Sequence, residues 1–99
     1  MQKIVVNRCY GGFGLSNEAL DFLGITERRP TFLPGHNLTE YGNYDKRTAP
    51  ELIKCVETLG EKANGKYARL VIVEIPDNVQ WEIEDYDGVE TVAEKHRTW

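Results

Sequence analysis

Runs of β-branched and apolar residues predict four strands. The segments 3–9 and 67–75 carry uninterrupted apolar runs, and the second run is apolar on both faces, as in a strand with a central position. The segments 79–86 and 89–95 flank Asp87-Gly88, a dipeptide typical of a type I′ hairpin turn. A two-residue turn sets the hairpin register and, because side chains alternate along a strand, places the apolar side chains of this hairpin on one face.

Apolar positions three and four residues apart predict two helices. Ser16 is a suitable N-cap for a short helix over 17–23, which Gly24 ends. A second helix is predicted over 49–62, opened by the capping-box pattern that begins at Thr48. Its apolar stripe is formed by Leu52, Cys55, Val56, Leu59 and Ala63. Residues 24–47 keep no hydrophobic period, and so long a loop in a small domain is either functional or partly disordered.

The element order β-α-α-β-β-β predicts an α+β fold in two layers. We expect a mostly antiparallel four-stranded sheet with two short helices on one face. The first strand is expected in the sheet interior, beside the strand 67–75. A chain of 99 residues allows a single domain, 1–99. The predicted core consists of Val5, Leu70, Ile72, Ile83 and Val92, with Leu52, Val56 and Leu59 packed onto it.

Composition and charge narrow the class of protein. No apolar run approaches the length of a membrane span, and the N-terminal segment is too short and too polar for a signal peptide, so we expect a cytoplasmic protein without a membrane partner. Two cysteines do not supply a disulfide framework. The net charge of −4 argues against general nucleic-acid binding, because neutralising phosphates requires a basic face.

Acidic side chains are concentrated in the predicted hairpin. The segment 82–94 contains six acids and no base, so it is either an ordinary solvated strand face or a patch for a basic partner. The candidate partner-binding residues are Glu82, Glu84, Asp85, Asp87 and Glu90. The hairpin is expected to be exposed, so replacing Glu82, Glu84 and Glu90 by Gln should change the stability by only about 1 kcal/mol.

A glycine-rich turn between the first strand and the first helix is the candidate ligand site. Glycines let backbone N–H groups approach a ligand, and a helix N-terminus favours an anion. The alternative is a tight structural turn whose Phe13 fills the core. Cations and an aromatic ring at the C-terminus would complete an anion site if the tail folds over the turn. The candidate ligand-binding residues are Arg8, Tyr10, Gly11, Gly12, Phe13, Gly14, Ser16, His96, Arg97 and Trp99.

No residue pattern predicts catalysis or a metal site. The two cysteines and two histidines lack the spacing of a zinc site, and no local signature indicates a Cys/His nucleophile pair. Asp85-x-Asp87-Gly88 departs from a calcium loop, because the first ligand position would be Ile83. We therefore expect a non-enzymatic protein without a cofactor.

The segments IVVNRCYGGFGLS (4–16) and EKHRTW (94–99) resemble a family of small uncharacterised proteins of bacteriophages and prophages. The pieces 47–52, 59–60, 74–77 and 84–88 are similar as well. The family has no established activity, so the resemblance implies a setting, that of a phage accessory protein acting against host defence, and no catalytic residue.

Two functions fit that setting. In the first, the protein binds and sequesters an anionic nucleotide-type ligand at the glycine-rich turn. In the alternative, it is an acidic inhibitor of a host defence protein, whose hairpin mimics nucleic acid or covers a basic groove. A homodimer is also compatible with the sequence, because a short chain gains core by association and sheet edges invite pairing.

Overall fold

A computed structural model describes residues 1–25 and 39–94, which form an α+β fold. The strands are β1 (Gln2–Asn7), β2 (Leu70–Ile75), β3 (Trp81–Tyr86) and β4 (Val89–Glu94). The helices are α1 (Asn17–Phe22), which is short, and α2 (Pro50–Leu59). Short 3₁₀ turns lie at Glu40–Gly42, Tyr44–Lys46 and Gly60–Ala63. Most of the predicted loop 24–47 lies outside the described residues, and its described end contains two of these turns.

Two antiparallel two-stranded sheets stand in place of the predicted four-stranded sheet. β1 pairs with β2, as expected, but it does not lie in a sheet interior, because β1 and β2 form a two-stranded sheet within the described part of the chain. β3 and β4 pair only with each other among the described residues. The prediction that the hairpin extends the first sheet is therefore wrong. The hairpin instead packs its apolar face on one face of the β1–β2 sheet, and the helices cover the other. The described fold has three layers rather than two.

Alternation along β1 sends neighbouring side chains into two separate cores. Val5 packs with the helices, while Ile4 and Val6 pack against the hairpin, and all three are fully buried. The predicted core is therefore divided between the two faces. Leu70 and Ile72 lie with the α2 stripe, whereas Ile83, Val92 and Trp81 form the hairpin side of the second core.

The predicted hairpin register is confirmed. Ile83 lies opposite Val92, and Tyr86 lies opposite Val89. Both turn residues have positive φ, 52° at Asp87 and 88° at Gly88, as a type I′ turn requires.

The helix ends agree only in part with the predictions. Ser16 is the N-cap of α1, and its Oγ accepts a hydrogen bond from the Ala19 N–H at 3.1 Å. The capping box predicted at Thr48 is wrong, because Ala49 is the N-cap of α2 and no side chain caps that helix. α2 ends earlier than predicted, since Gly60 takes a φ of 57° and the chain continues as a 3₁₀ turn.

Candidate functional site

A buried ion pair between Arg47 and Glu90 connects distant parts of the fold. Nη1 and Nη2 of Arg47 donate to Oε1 and Oε2 of Glu90 at 2.5 and 2.8 Å, and the two side chains are 1% and 3% exposed. Such bidentate pairs are among the strongest charge-assisted hydrogen bonds. The prediction that Glu90 belongs to an exposed, tolerant acidic face is wrong. Glu90 shares the inner hairpin face with Val92, two residues along β4.

All five N–H donors of Arg47 have acceptors. Besides the carboxylate, Nη1 donates to the Val5 carbonyl at 3.2 Å, Nε to the Tyr41 carbonyl at 2.8 Å, and Nη2 to the Gly42 carbonyl at 2.9 Å. The Phe13 ring lies over the guanidinium, with its centroid 3.8 Å from Cζ. Arg47 therefore joins β1, the turn Glu40–Gly42 and the hairpin, and it has no donor left for an anionic ligand.

The ion pair also closes the edge of β1 that faces away from β2. The Val5 N–H donates to the Arg47 carbonyl at 2.9 Å, and the Asn7 N–H donates to Glu90 Oε1 at 2.8 Å. The Asn7 side chain adds a hydrogen bond from Nδ2 to the Gly88 carbonyl at 2.7 Å. These contacts occupy the place of a neighbouring strand, so this edge is not open at residues 5 and 7.

An open cleft of about 780 Å³ lies over the ion pair. Arg47 and Glu90 are its buried part, whereas Tyr44, Asp45 and Asp85 are exposed along it. Partial burial, followed by the charges of Asp85 and Glu90, raises the pKa of the Tyr44 phenol. Because the guanidinium in this cleft is already paired, the exposed groups favour a cationic ligand over an anionic one.

A second groove, of about 360 Å³, lies on the outer side of the hairpin. Tyr10 and Tyr86 line it and are 75% and 79% exposed. Asp85 lines both the groove and the cleft. We call the exposed acidic and tyrosine residues of the two depressions the acidic–aromatic surface, which consists of Tyr10, Tyr44, Asp45, Glu84, Asp85 and Tyr86.

The glycine-rich turn is packed against neighbouring backbone. A Cβ added to Gly11 would overlap Tyr67, and one added to Gly88 of the hairpin turn would lie 2.6 Å from the Tyr10 carbonyl oxygen. The Gly12 N–H donates to the carbonyl three residues earlier at 3.3 Å. Gly11 and Gly88 permit close approach of other segments of the chain, whereas a Cβ added to Gly12 would meet no atom of the described residues within 4 Å.

The other candidate ligand residues are not all gathered at this turn. The N–H and Oγ of Ser16 both donate to backbone carbonyls at the end of the 3₁₀ turn after α2. Phe13 lies on Arg47, Gly14 is buried, and Arg8 is exposed. The candidate tail residues lie outside the described part of the chain, so the shared anion site stays a prediction. Those tail residues are His96, Arg97 and Trp99.

The candidate partner-binding residues divide into two groups. Glu82, Glu84, Asp85 and Asp87 are exposed, whereas Glu90 is buried. Asp45 and Tyr86 were not predicted to belong to a site. Alternation along β3 places Tyr86 on the same outer face as Glu84 and was a usable signal, but no periodicity marks Tyr44 or Asp45.

Comparisons with known proteins give no match. No family model matches the chain, and neither a curated protein nor a solved structure matches it significantly. The resemblance to phage proteins therefore stays a prediction. Within residues 1–25 and 39–94, no group of three His, Cys, Asp or Glu residues is placed to hold a metal ion. No helix of these same residues has the length and apolarity that a bilayer crossing demands.

Proposed function

We propose that the protein is a non-enzymatic binding protein whose acidic–aromatic surface takes a basic segment of a protein partner. The observation that carries this proposal is the position of Asp85, which lines both the cleft and the groove. Each depression is lined by exposed carboxylates and exposed tyrosine rings, and Asp85 belongs to both.

The chemistry of this surface suits arginine and lysine side chains. Carboxylates such as Glu84 and Asp85 accept charge-assisted hydrogen bonds from a guanidinium, whose flat face also stacks on tyrosine rings. Exposed tyrosines are frequent in the energetically important parts of protein interfaces. The net charge of −4 adds long-range attraction for a basic partner and raises the rate of association.

The phage setting inferred from the sequence would make the partner a host defence protein with a basic groove. The first alternative, sequestration of an anionic nucleotide-type ligand, finds less support in the cleft, because Arg47 is fully paired there. It remains a proposal for the glycine-rich turn together with the C-terminal tail.

Calorimetry with a defined basic peptide tests the proposal. The probe is a synthetic peptide of alternating arginine and serine, titrated into the full chain beside a panel of nucleotides and cyclic nucleotides. Glu84→Gln/Asp85→Asn removes two charges from the surface, and Asn at position 85 keeps an oxygen for the hydrogen bond that Asp85 Oδ1 accepts from Gly88 N–H. Glu18→Gln/Glu61→Gln is the matched control, since it removes two exposed charges elsewhere.

We expect the surface variant to weaken peptide binding by about tenfold or more, and the control to leave it within about twofold. Raising the salt concentration should weaken the peptide complex of the unaltered chain. Equal binding by the two variants would overturn the proposal. Binding of a nucleotide without binding of the peptide would replace it by the anionic-ligand alternative.

A further inference from the structure

The outward edge of β2 is identified by the hydrogen bonds of β1. The Val5 N–H and carbonyl and the Asn7 N–H point away from β2, toward Arg47 and Glu90. In an antiparallel pair, the residue opposite such a position also points its backbone groups away. Val5 lies opposite Ile72, so the outward positions of β2 are Leu70, Ile72 and Glu74.

Two of these three positions carry free backbone groups. The Leu70 N–H donates to Asn64 Oδ1 at 2.8 Å. The N–H and carbonyl groups of Ile72 and Glu74 have no hydrogen-bond partner among residues 1–25 and 39–94. Glu74 supplies the one charge of the strand, whose sequence is LVIVEI. Natural proteins usually protect an edge with charges, proline or a bulge, and an edge as apolar as this one is a template for pairing.

We propose that the outward edge of β2 pairs antiparallel with β2 of a second copy of this chain, with Val73 on the two-fold axis. Antiparallel pairing requires outward residues to lie opposite each other. In this register Ile72 lies opposite Glu74 of the second copy, and Glu74 lies opposite Ile72 of the second copy. The four free groups on each chain then form four hydrogen bonds between the chains.

The pairing ends at residues whose backbone N–H is absent or already hydrogen-bonded within its own chain. Leu70 would lie opposite Pro76 of the second copy, and proline has no N–H. The Leu70 N–H is itself occupied by Asn64. A two-fold rotation therefore places the free backbone groups of one copy opposite those of the second copy, as an isologous interface requires.

The side chains also favour a second copy at this edge. The two Glu74 carboxylates lie opposite isoleucines rather than opposite each other, which avoids a like-charge pair. Each Glu74 also keeps Lys3 as its cross-strand neighbour within its own sheet. Self-pairing of β3 would instead bring together strands that each carry three acids, in the sequence WEIEDY. The resulting strand order is β1-β2-β2-β1, a four-stranded sheet shared by two chains.

Sedimentation equilibrium and amide hydrogen exchange of the full chain test this inference. Glu74→Pro removes an outward N–H and leaves the β1–β2 ladder intact, because proline is tolerated at an outward edge position. Glu74→Thr is the matched control, since it loses the same charge and keeps the N–H. The unaltered chain and Glu74→Thr should be dimers at high concentration, and Glu74→Pro should be monomeric.

Exchange of the Ile72 and Glu74 amides should slow by about tenfold or more between roughly 10 μM and 1 mM protein, while exchange of the Val73 amide stays unchanged. These exchange rates decide the question even if Glu74→Pro fails to fold. A chain that is monomeric throughout this range would overturn the inference. A dimer whose Ile72 and Glu74 amides exchange as fast as in the monomer would also overturn it, because its interface would lie elsewhere.

Discussion

Glu90→Gln tests whether the buried ion pair holds the hairpin to the rest of the fold. The Glu90 carboxylate accepts two hydrogen bonds from Arg47 and one from the Asn7 N–H. Glutamine keeps one carbonyl oxygen but places an amide NH₂ against the remaining guanidinium donor. Arg47 would then stay buried, with a positive charge that no longer has a counter-ion.

We expect this substitution to lower the free energy of unfolding by about 3–5 kcal/mol, the range for removing one partner of a buried ion pair. A domain of this size has a total stability of roughly 5–15 kcal/mol, so the loss is a large share. The matched control is Glu84→Gln, which lies exposed on the outer face of the same hairpin and should change the stability by no more than about 0.5 kcal/mol. The value of about 1 kcal/mol expected for the three glutamine substitutions together is thereby revised, because it assumed an exposed Glu90.

A double-mutant cycle separates the charge interaction from packing. Arg47→Met and Glu90→Leu each leave one buried charge unpaired, whereas the double variant leaves none. The free energies of unfolding lost in the two single variants, added together, should therefore exceed the loss in the double variant by about 2–4 kcal/mol. The double variant should remain less stable than the unaltered chain, because the carbonyls that Arg47 satisfies at Val5, Tyr41 and Gly42 lose a donor.

Urea denaturation followed by far-ultraviolet circular dichroism measures each free energy. An unchanged dependence on urea concentration would show that the variants unfold from the same compact state. A loss below about 1 kcal/mol for Glu90→Gln, or a coupling energy near zero, would refute the conclusion that this pair secures the hairpin.

Four further predictions concern core packing, the hairpin turn and the thiols. Val56→Asp should destabilise the chain by several kcal/mol, because it buries an unpaired carboxylate between α2 and the β1–β2 sheet, and an unchanged thermal midpoint would exclude that packing. Gly88→Ala should lower the free energy of unfolding, measured in urea, more than Gly12→Ala does. The φ angle is positive at both positions, but only at Gly88 would the added Cβ meet backbone atoms. Equal losses would contradict this prediction. Burial raises the pKa of the Cys55 thiol from 9.0 to about 11, so a disulfide reagent at pH 8 should modify half-exposed Cys9 first and Cys55 only on unfolding. The unfolded thiol ionises before the folded one, so stability should fall as the pH rises from about 9 toward 11, and Cys55→Ala should flatten that slope in urea titrations.

The candidate site was predictable only in part. The register that pairs Ile83 with Val92 also places residue 90 on the inner hairpin face, but alternation does not determine burial, because Asp85 lies opposite Glu90 on the same face and is exposed. The partner of Glu90 does not follow from any local pattern. Arg47 lies in a segment without hydrophobic period and meets Glu90 across 43 positions of the chain. The acidic–aromatic surface is equally non-local, because Tyr44 and Asp45 line the same cleft as Asp85, which belongs to a distant segment of the chain.

The local structure of this protein follows from short stretches of its amino-acid sequence. β-branched runs, the Asp87-Gly88 turn and the Ser16 cap act over a few residues, so the strands, the hairpin register and the start of α1 were predictable. The apolar character of β2 on both sides predicted a central position in a sheet, which is wrong, because β2 pairs only with β1 among the described residues and has both faces covered by packing instead. Helices cover one face of the β1–β2 sheet and the hairpin covers the other, an arrangement that no local pattern predicts. Side chains that alternate along β1 and β2 form one apolar set that packs with the helices and another that packs with the hairpin, while Arg47 and Glu90 occupy the β1 backbone groups that a further strand could have used.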